Sequence, residues 1–508
     1  MILVVDFGSQ LSHLICRRIR QLKVYCEIRG WGITASEIKK LNPEGIIFSG
    51  GPSSVYEKNA PTADARILEL GIPILGICYG HHLIAKLSSG EVLGGKKEYG
   101  KEMLCVKKSP LFMGLSQREQ VWMSHGDSVI RLPKGFEVIG STKDCKIAAY
   151  ANYRKRFFGV QFHPEVQHTP KGMRILDNFV RICGAKRTYL LKDAAAKAVS
   201  EIKATVGNDS VIVGVSGGVD SLVAASLIRK ATRKVHLVYI DHGLVRKHET
   251  EYVKEMFRKL GFGNFHAIDA SALFLGRLKG VADPEEKRRL IGRTFIEVFD
   301  RKVEELKKSH GSIKFLGQGT IYPDRIESAK ASKSADIIKT HHNVGGLPEK
   351  MRLKLVEPLK DFYKDEVRQI GIQLGLPKQY IFRHPFPGPG LAIRILGEIT
   401  PEKIEMVREA DYIFISALRK YKWYAKVWQA LAALLPVKTV GVMGDSRTYG
   451  YIISLRAVTS KDAMTADWAR LPNELLEEVA GEIIRNVRGV NRVVYDISQK
   501  PPATIEYE

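Results

Sequence analysis

At 508 residues, 44% hydrophobic and 26% charged, the chain is too long for one core and ordinary for globular protein, so roughly two to four domains are expected. No run of about 18 apolar residues could span a membrane, and six scattered cysteines without a C-x-x-C pair argue against zinc, iron–sulfur clusters and disulfides and for a reducing cytoplasm. The net charge of +24 fits a nucleic-acid surface or a solvated basic surface that attracts small anions, and its spread along the chain, with no arginine-rich arm, favours the second.

The chain opens directly on a buried strand, "ILVVDF" from Ile2, with no basic leader before it. Further apolar runs follow, "GIIFSGGP", "IPILGICYG" and "FFGVQFHPE", alternating with helical patterns as far as Gly184. Such alternation predicts an open α/β sheet with function at the strand ends. The amphipathic stretch "KRTYLLKDAAAKAVSEIKATVGNDS" opens a second unit, in which "VIVGVSGG", "VHLVYIDHG" and "IKFLGQGT" are strands running into glycines. A joint dense in proline and glycine, "RHPFPGPGLAIRILGE", separates it from a third unit with a helical part and the strands "VKTVGVMG", "YGYIISLRAV" and "NRVVYDIS". The expected architecture is two open α/β sheet domains, residues 1–186 and 187–383, followed by a smaller α+β domain, residues 384–508. Neither an internal repeat nor a low-complexity segment interrupts this order.

Two stretches carry chemistry. In "IPILGICYG" a strand runs into Cys78 and a helix begins at once, the geometry of a nucleophile elbow that exposes a thiol and aims backbone N–H groups at an oxyanion. A lone cysteine there would usually be a small buried hydrophobe. The "HPE" of "GVQFHPEV" alters that balance, because His163 supplies a base and Glu165 an acceptor to hold its tautomer. Glycine-rich "FSGGPSS" offers the Gly51 N–H, and the elbow offers that of Tyr79, for the oxyanion hole.

The second stretch is "SGGVDS", Ser216 to Ser221, after a buried strand. Its glycines let the backbone approach a ligand, and the helix start presents N–H groups and a positive dipole end to an anion. Ser216 and Ser221 add hydroxyls, and Asp220 can hold a magnesium ion. The lysine of the P-loop (G-x-x-x-x-G-K-[ST]) is absent, so the loop is better suited to gripping a departing pyrophosphate than to pulling on a γ-phosphate. A strand–Gly-Gly–helix turn alone is a weak signal, since it also serves purely structural corners.

"SGGVDS" after an apolar strand resembles the N-type ATP pyrophosphatases, which cleave ATP between the α and β phosphates. G-x-C-x-G followed by H-P-E resembles the class I glutamine amidotransferases. Together with "VWMSHGDSV", "DPEEKRRLIGRTFIEVFD", "LGQGTIYPDRIES", "IKTHHNVGGLPEKM", "RHPFPGPGLAIRILGE", "VGVMGDSRTYGYIISLRAV" and "RVVYDISQKPPATIEYE", the chain is identified over its whole length with the glutamine-hydrolysing GMP synthase family. The resemblance implies amination of XMP to GMP with ATP, glutamine and Mg²⁺, through an adenylyl-XMP intermediate. It implies Cys78, His163 and Glu165 as catalytic, and Gly51 and Tyr79 at the oxyanion hole. Ser216, Gly217, Gly218, Val219, Asp220, Ser221 and Leu222 would bind ATP, with Asp220 also holding the metal, and Asp241 and His242 would border the adenosine. Arg288, Asp445, Arg447, Lys500 and Glu506 match nucleotide-binding positions, and Lys339, His341 and His342 a mobile lid. His82, Ser124 and His125 fall at the glutamine site. His82 stands where the family usually has glutamine, which is expected to weaken the hold on substrate glutamine, with a pH dependence near 6.5 if the ring protonates. The resemblance also implies a homodimer through the third domain, in the cytoplasm, with no membrane or nucleic-acid partner. A tRNA sulfur transferase is the rival from another class, but those use cysteines near the loop, and no cysteine follows Cys183. An ammonia-dependent enzyme with a dead glutaminase is the other, and His82 keeps it open.

Overall fold

A computed structural model of the chain describes residues 1–311, 313–324, 353–443, 446–460 and 465–508. It contains two compact units, Met1–Leu190 and Leu191–Glu508.

In the first unit the strands are β1 (Ile2–Asp6), β2 (Cys26–Gly30), β3 (Gly45–Phe48), β4 (Ile74–Ile77), β5 (Glu91–Val106), β6 (Arg118–Arg131), β7 (Glu137–Ser141), β8 (Ala149–Asn152) and β9 (Phe157–Val160). They form one nine-stranded sheet in the order β2-β1-β3-β4-β9-β8-β7-β5-β6. The half from β2 to β9 is parallel and the rest antiparallel. β1, β3, β4 and β9 are buried at every position, as strands covered on both faces must be, which is why they read as unbroken apolar runs. The helices are α1 (Ser12–Gln21), α2 (Ala35–Leu41), α3 (Tyr79–Leu87) and α4 (Gly172–Ile182). Thr34 and Glu37 close a capping box at the start of α2.

The second unit begins with α5 (Leu191–Val206) and continues β10 (Ser210–Gly214), α6 (Val219–Ala231), β11 (Val235–Asp241), α7 (Glu249–Lys259), β12 (Phe265–Asp269), α8 (Ser271–Leu278), α9 (Pro284–His310), β13 (Ile313–Gly317) and β14 (Lys354–Val356). These strands make a five-stranded sheet, β12-β11-β10-β13-β14, parallel throughout. The strand order reverses between β10 and β13, so the crevice beyond their carboxyl ends is where such a sheet takes a ligand. After α10 (Lys364–Gln373), α11 (Lys378–Ile381) and α12 (Pro401–Lys420) come β15 (Gln429–Met443), β16 (Ser446–Thr459), β17 (Asp467–Trp468), α13 (Asn473–Asn486) and β18 (Val490–Tyr495). β16 lies antiparallel to β15 and β17 and parallel to β18.

The two open α/β sheets and the smaller α+β segment are those expected. At residues 383 and 384, where a domain boundary was expected, a continuous core crosses the joint. Ile212 and Val238 of the parallel sheet share one apolar cluster with Leu391, Phe414, Leu434, Ile453 and Leu475. Among the described residues no helix is long and apolar enough to cross a membrane.

Candidate active sites

Cys78 occupies the corner between β4 and α3 with φ 53° and ψ −107°, a backbone state that side chains other than glycine rarely adopt. Its own N–H is tied to the Val160 carbonyl of β9, 2.9 Å away. The neighbouring glycines explain the tightness of the corner. A Cβ on Gly80 would sit 2.3 Å from the Phe48 carbonyl oxygen, and one on Gly76 2.4 Å from that of Gly80. Only glycines at both positions let α3 start so close to β3 and β4.

His163 and Glu165 follow β9, which lies beside β4. Glu165 Oε1 accepts from His163 Nδ1 at 2.8 Å, and both side chains are buried. Burial opposes protonation of His163, yet the Glu165 carboxylate and hydrogen bonds to Cys78 and Glu165 raise it well above the ordinary imidazole value. Gly50 packs against this pair, since a Cβ there would lie 3.4 Å from His163 Cε1 and 3.7 Å from Cys78 Cβ. Gly51 is equally confined, with the Phe7 carbonyl at 2.7 Å and the Tyr79 ring at 3.3 Å from a would-be Cβ. Cys78, His163, Glu165, Gly51 and Tyr79 therefore meet at the carboxyl ends of β3, β4 and β9.

On β6, the Ser124 carbonyl oxygen faces Cys78 Sγ at 3.6 Å. His125 turns the other way: Nε2 lies 2.9 Å from a Glu98 carboxylate oxygen and Nδ1 2.8 Å from the Asp127 carbonyl oxygen. Thr142 donates to the second Glu98 oxygen at 2.8 Å, so His125 braces the β5–β6 hairpin that presents Ser124. His82 is 3% exposed and spends Nε2 on Gln161 Oε1 at 2.6 Å. Burial lowers its pKa to about 4, so the ring is neutral near pH 7 and the pH dependence expected near 6.5 moves well below that value. Gln161 was not singled out from the sequence, although its place two residues before His163 is a usable signal.

The second centre is the turn between β10 and α6. Ser216 N–H donates to Ser221 Oγ at 3.3 Å, and Ser221 Oγ donates to the Gly218 carbonyl at 3.1 Å, closing the loop on itself. Gly217 adopts φ +74°, and a Cβ there would strike Val253 at 2.5 Å. Gly218 is the exposed N-cap of α6, while Val219 and Leu222 turn their side chains into the core and offer the loop only backbone. Gly319, just beyond β13, lies over the helix start, its would-be Cβ 3.1 Å from the Ser221 nitrogen. Asp220 pairs one carboxylate oxygen with Lys364 Nζ at 3.1 Å, while Oδ1 is buried without a hydrogen-bond partner. A carboxylate oxygen so placed fits a divalent cation. Sequence reasoning missed Lys364, which reaches the loop from the first residue of α10. At the end of β11, Asp241 accepts from Gly243 N–H at 2.9 Å and from the Thr250 hydroxyl at 2.5 Å. His242 is buried, which lowers its pKa to about 4.

Of the residues expected at XMP, Glu506 lies in a fork from the buried Arg394, with Nε and Nη2 each 3.0 Å from a carboxylate oxygen. Arg394 also meets Asp411 at 3.1 Å. Arg456 donates to the carbonyls of Ser498, Thr504 and Ile505 and so pins the same tail. Lys287, one residue before Arg288, reaches Glu508 at 2.6 Å, which sets the start of α9 beside that tail. Arg288 itself pairs loosely with Glu285 at 3.5 Å. Arg447 is exposed on β16, and Lys500 exchanges backbone hydrogen bonds with Ala466. Lys339, His341, His342 and Asp445 lie outside the described residues.

Residues 3–183 match the class-I glutamine amidotransferases, residues 210–288 the queuosine biosynthesis protein QueC, and residues 416–507 the GMP synthase C terminal domain. Among curated proteins the chain is 54% identical to the glutamine-hydrolyzing GMP synthase of Carboxydothermus hydrogenoformans and 55% identical to that of Aquifex aeolicus, in each case across 100% of this chain and 99% of the other. The enzyme of the same name from Neisseria meningitidis serogroup B is 52% identical over the same shares. Matched end to end at this identity, the chain belongs to the glutamine-hydrolysing GMP synthase family.

Proposed function

We propose that the two centres act in series, the first releasing ammonia from glutamine and the second consuming it. Family membership sets the overall reaction: XMP is aminated to GMP, and ATP leaves as AMP and pyrophosphate. At the first centre Cys78 Sγ attacks the glutamine amide carbon while His163 takes the thiol proton and returns it to the departing ammonia. Glu165 on Nδ1 keeps the other ring nitrogen for the sulfur. The N–H groups of Gly51 and Tyr79 receive the developing oxyanion, and water then frees glutamate from the thioester. The strained corner at Cys78, backed by the His163–Glu165 pair, is the observation that carries this reading.

At the second centre the Ser216–Ser221 loop holds the β,γ-pyrophosphate while the XMP C2 oxygen is adenylylated, and ammonia then displaces AMP. Asp220 would hold Mg²⁺ through its unpartnered oxygen, where the ion would neutralise charge on the departing pyrophosphate. Arg288, Lys500 and Glu506 are the candidate XMP contacts, and Glu506 is available to XMP only if it shares or leaves its fork with Arg394. Residues 384–508 are read as the dimer-forming segment, because Val440, Val442 and Tyr449 stand exposed side by side on β15 and β16. A cytoplasmic location is consistent with the sparse, unpaired cysteines. The test is AMP and GMP formation from ATP and XMP, with glutamine and ammonia compared. AMP release that ignores XMP would overturn the assignment.

A further inference from the structure

We infer that Arg383 is the positioning residue of the pyrophosphate loop. This rests on reading that loop as the pyrophosphate cradle. Arg383 follows α11, and its side chain is only 13% exposed. Nη2 donates to both Glu249 oxygens at 2.8 Å each, and Nη1 donates to the Gly217 carbonyl at 3.1 Å. The guanidinium lies over the Tyr252 ring, 4.4 Å from its centroid. Glu249, the first residue of α7, and Tyr252 thus set the fork, and the fork holds one carbonyl of the loop. A lysine, with one nitrogen, could not hold the carboxylate through one arm and the Gly217 carbonyl through another in a fixed plane.

The chemical consequence follows from the planarity of the peptide. In a trans peptide the carbonyl of one residue and the N–H of the next point in opposite directions. Anchoring the Gly217 carbonyl on Arg383 therefore aims the Gly218 N–H away from Arg383, to the side of the loop where it meets Ser216 Oγ at a long 3.4 Å, a contact that an incoming anion could replace. A peptide flanked by two glycines has little steric preference of its own. Without Arg383 the 217–218 plane is free to rotate, and the donor would turn away from the anion as it develops charge. Arg383 touches no reacting atom. It orients a group that does.

The experiment measures XMP- and ammonia-dependent formation of AMP and pyrophosphate by the full chain and by Arg383→Ala, Arg383→Lys and Glu249→Gln. Loss of one preorganised donor lowers turnover by roughly a hundredfold or more; Arg383→Ala leaves that donor in place but unfixed, so it should lose less, about tenfold to a hundredfold in kcat, with a smaller change in KM for ATP. Arg383→Lys should stay low. Added guanidinium, at concentrations that leave the parent folded and unaffected, should restore part of the Arg383→Ala rate, which a merely structural role would not allow. Should Arg383→Ala fail to fold, Glu249→Gln carries the test through the same bidentate pair. If the parent yields no pyrophosphate, the reading of the loop itself fails. If the parent does and every folded variant matches its kcat, or the Ala variant shows no rescue, Arg383 has no positioning role.

Discussion

His82 offers a sharp test because burial outweighs the hydrogen bond to Gln161 and the Asp127 charge in setting its charge state. An imidazole titrating at about 4 when folded and at about 6.5 when unfolded is neutral in both states above pH 7. As pH falls below about 6.5 the unfolded chain takes up a proton that the folded unit refuses, so stability is lost, and the loss saturates below about pH 4. With those two values and 1.36 kcal/mol per pKa unit, the folded unit loses about 2 kcal/mol between pH 7 and pH 5 from this ring alone. His82→Gln removes the titration while leaving an amide that can still donate to Gln161. Urea unfolding of parent and variant at pH 7 and pH 5 should therefore show the stability difference between them shifting by about 2 kcal/mol in favour of the variant at the lower pH. A difference that stays constant between the two pH values would mean that His82 is solvated in the folded chain and that its burial against Gln161 is misread.

Cys78→Ala should eliminate glutamine use and leave ammonia-dependent GMP synthesis nearly intact, since ammonia needs no thiolate; joint loss in a rate assay would make Cys78 a structural residue. Asp220→Asn should abolish GMP formation from either nitrogen source while glutamine hydrolysis persists, and robust ammonia-dependent synthesis by this variant would remove Asp220 from the metal. His82→Gln should raise kcat/KM for glutamine roughly tenfold with ammonia use unchanged, and an equal or lower glutamine value would show the histidine to be no handicap. Light scattering at micromolar concentration should give a dimer, with Val442→Asp shifting it toward monomer; a stable, active parent monomer would contradict the role given to residues 384–508.

Much of both centres was legible in the chain because a strand–turn–helix junction is local. The corner at Cys78 and the loop at Ser216–Ser221 each lie within about ten residues, although the contacts that force their glycines, Phe48 on Gly80 and Val253 on Gly217, come from other elements. His163 and Glu165 were readable for the same reason. What escaped comes from afar: Lys364 meets Asp220 across 144 residues and Arg394 meets Glu506 across 112. No periodicity reveals such pairs. Glu506 shows the cost of that blindness, since its match to a ligand position says nothing of a buried arginine already gripping it. His125 is similar, for its neighbour Ser124 faces the sulfur while its own ring is committed to Glu98.

The core that joins Ile212 to Ile453 and Val490 has a consequence for synthesis on the ribosome. Met1–Leu190 can collapse as soon as it emerges, because every strand of its sheet lies within that stretch. The parallel sheet that follows has only α8 and α9 over one of its faces until α12, β15, β16 and α13 have been translated and complete the cluster. During that interval the part of the cluster still uncovered is open to chaperones and to neighbouring nascent chains. A premature stop near residue 383 would therefore release a glutaminase that folds, attached to a synthetase half that aggregates.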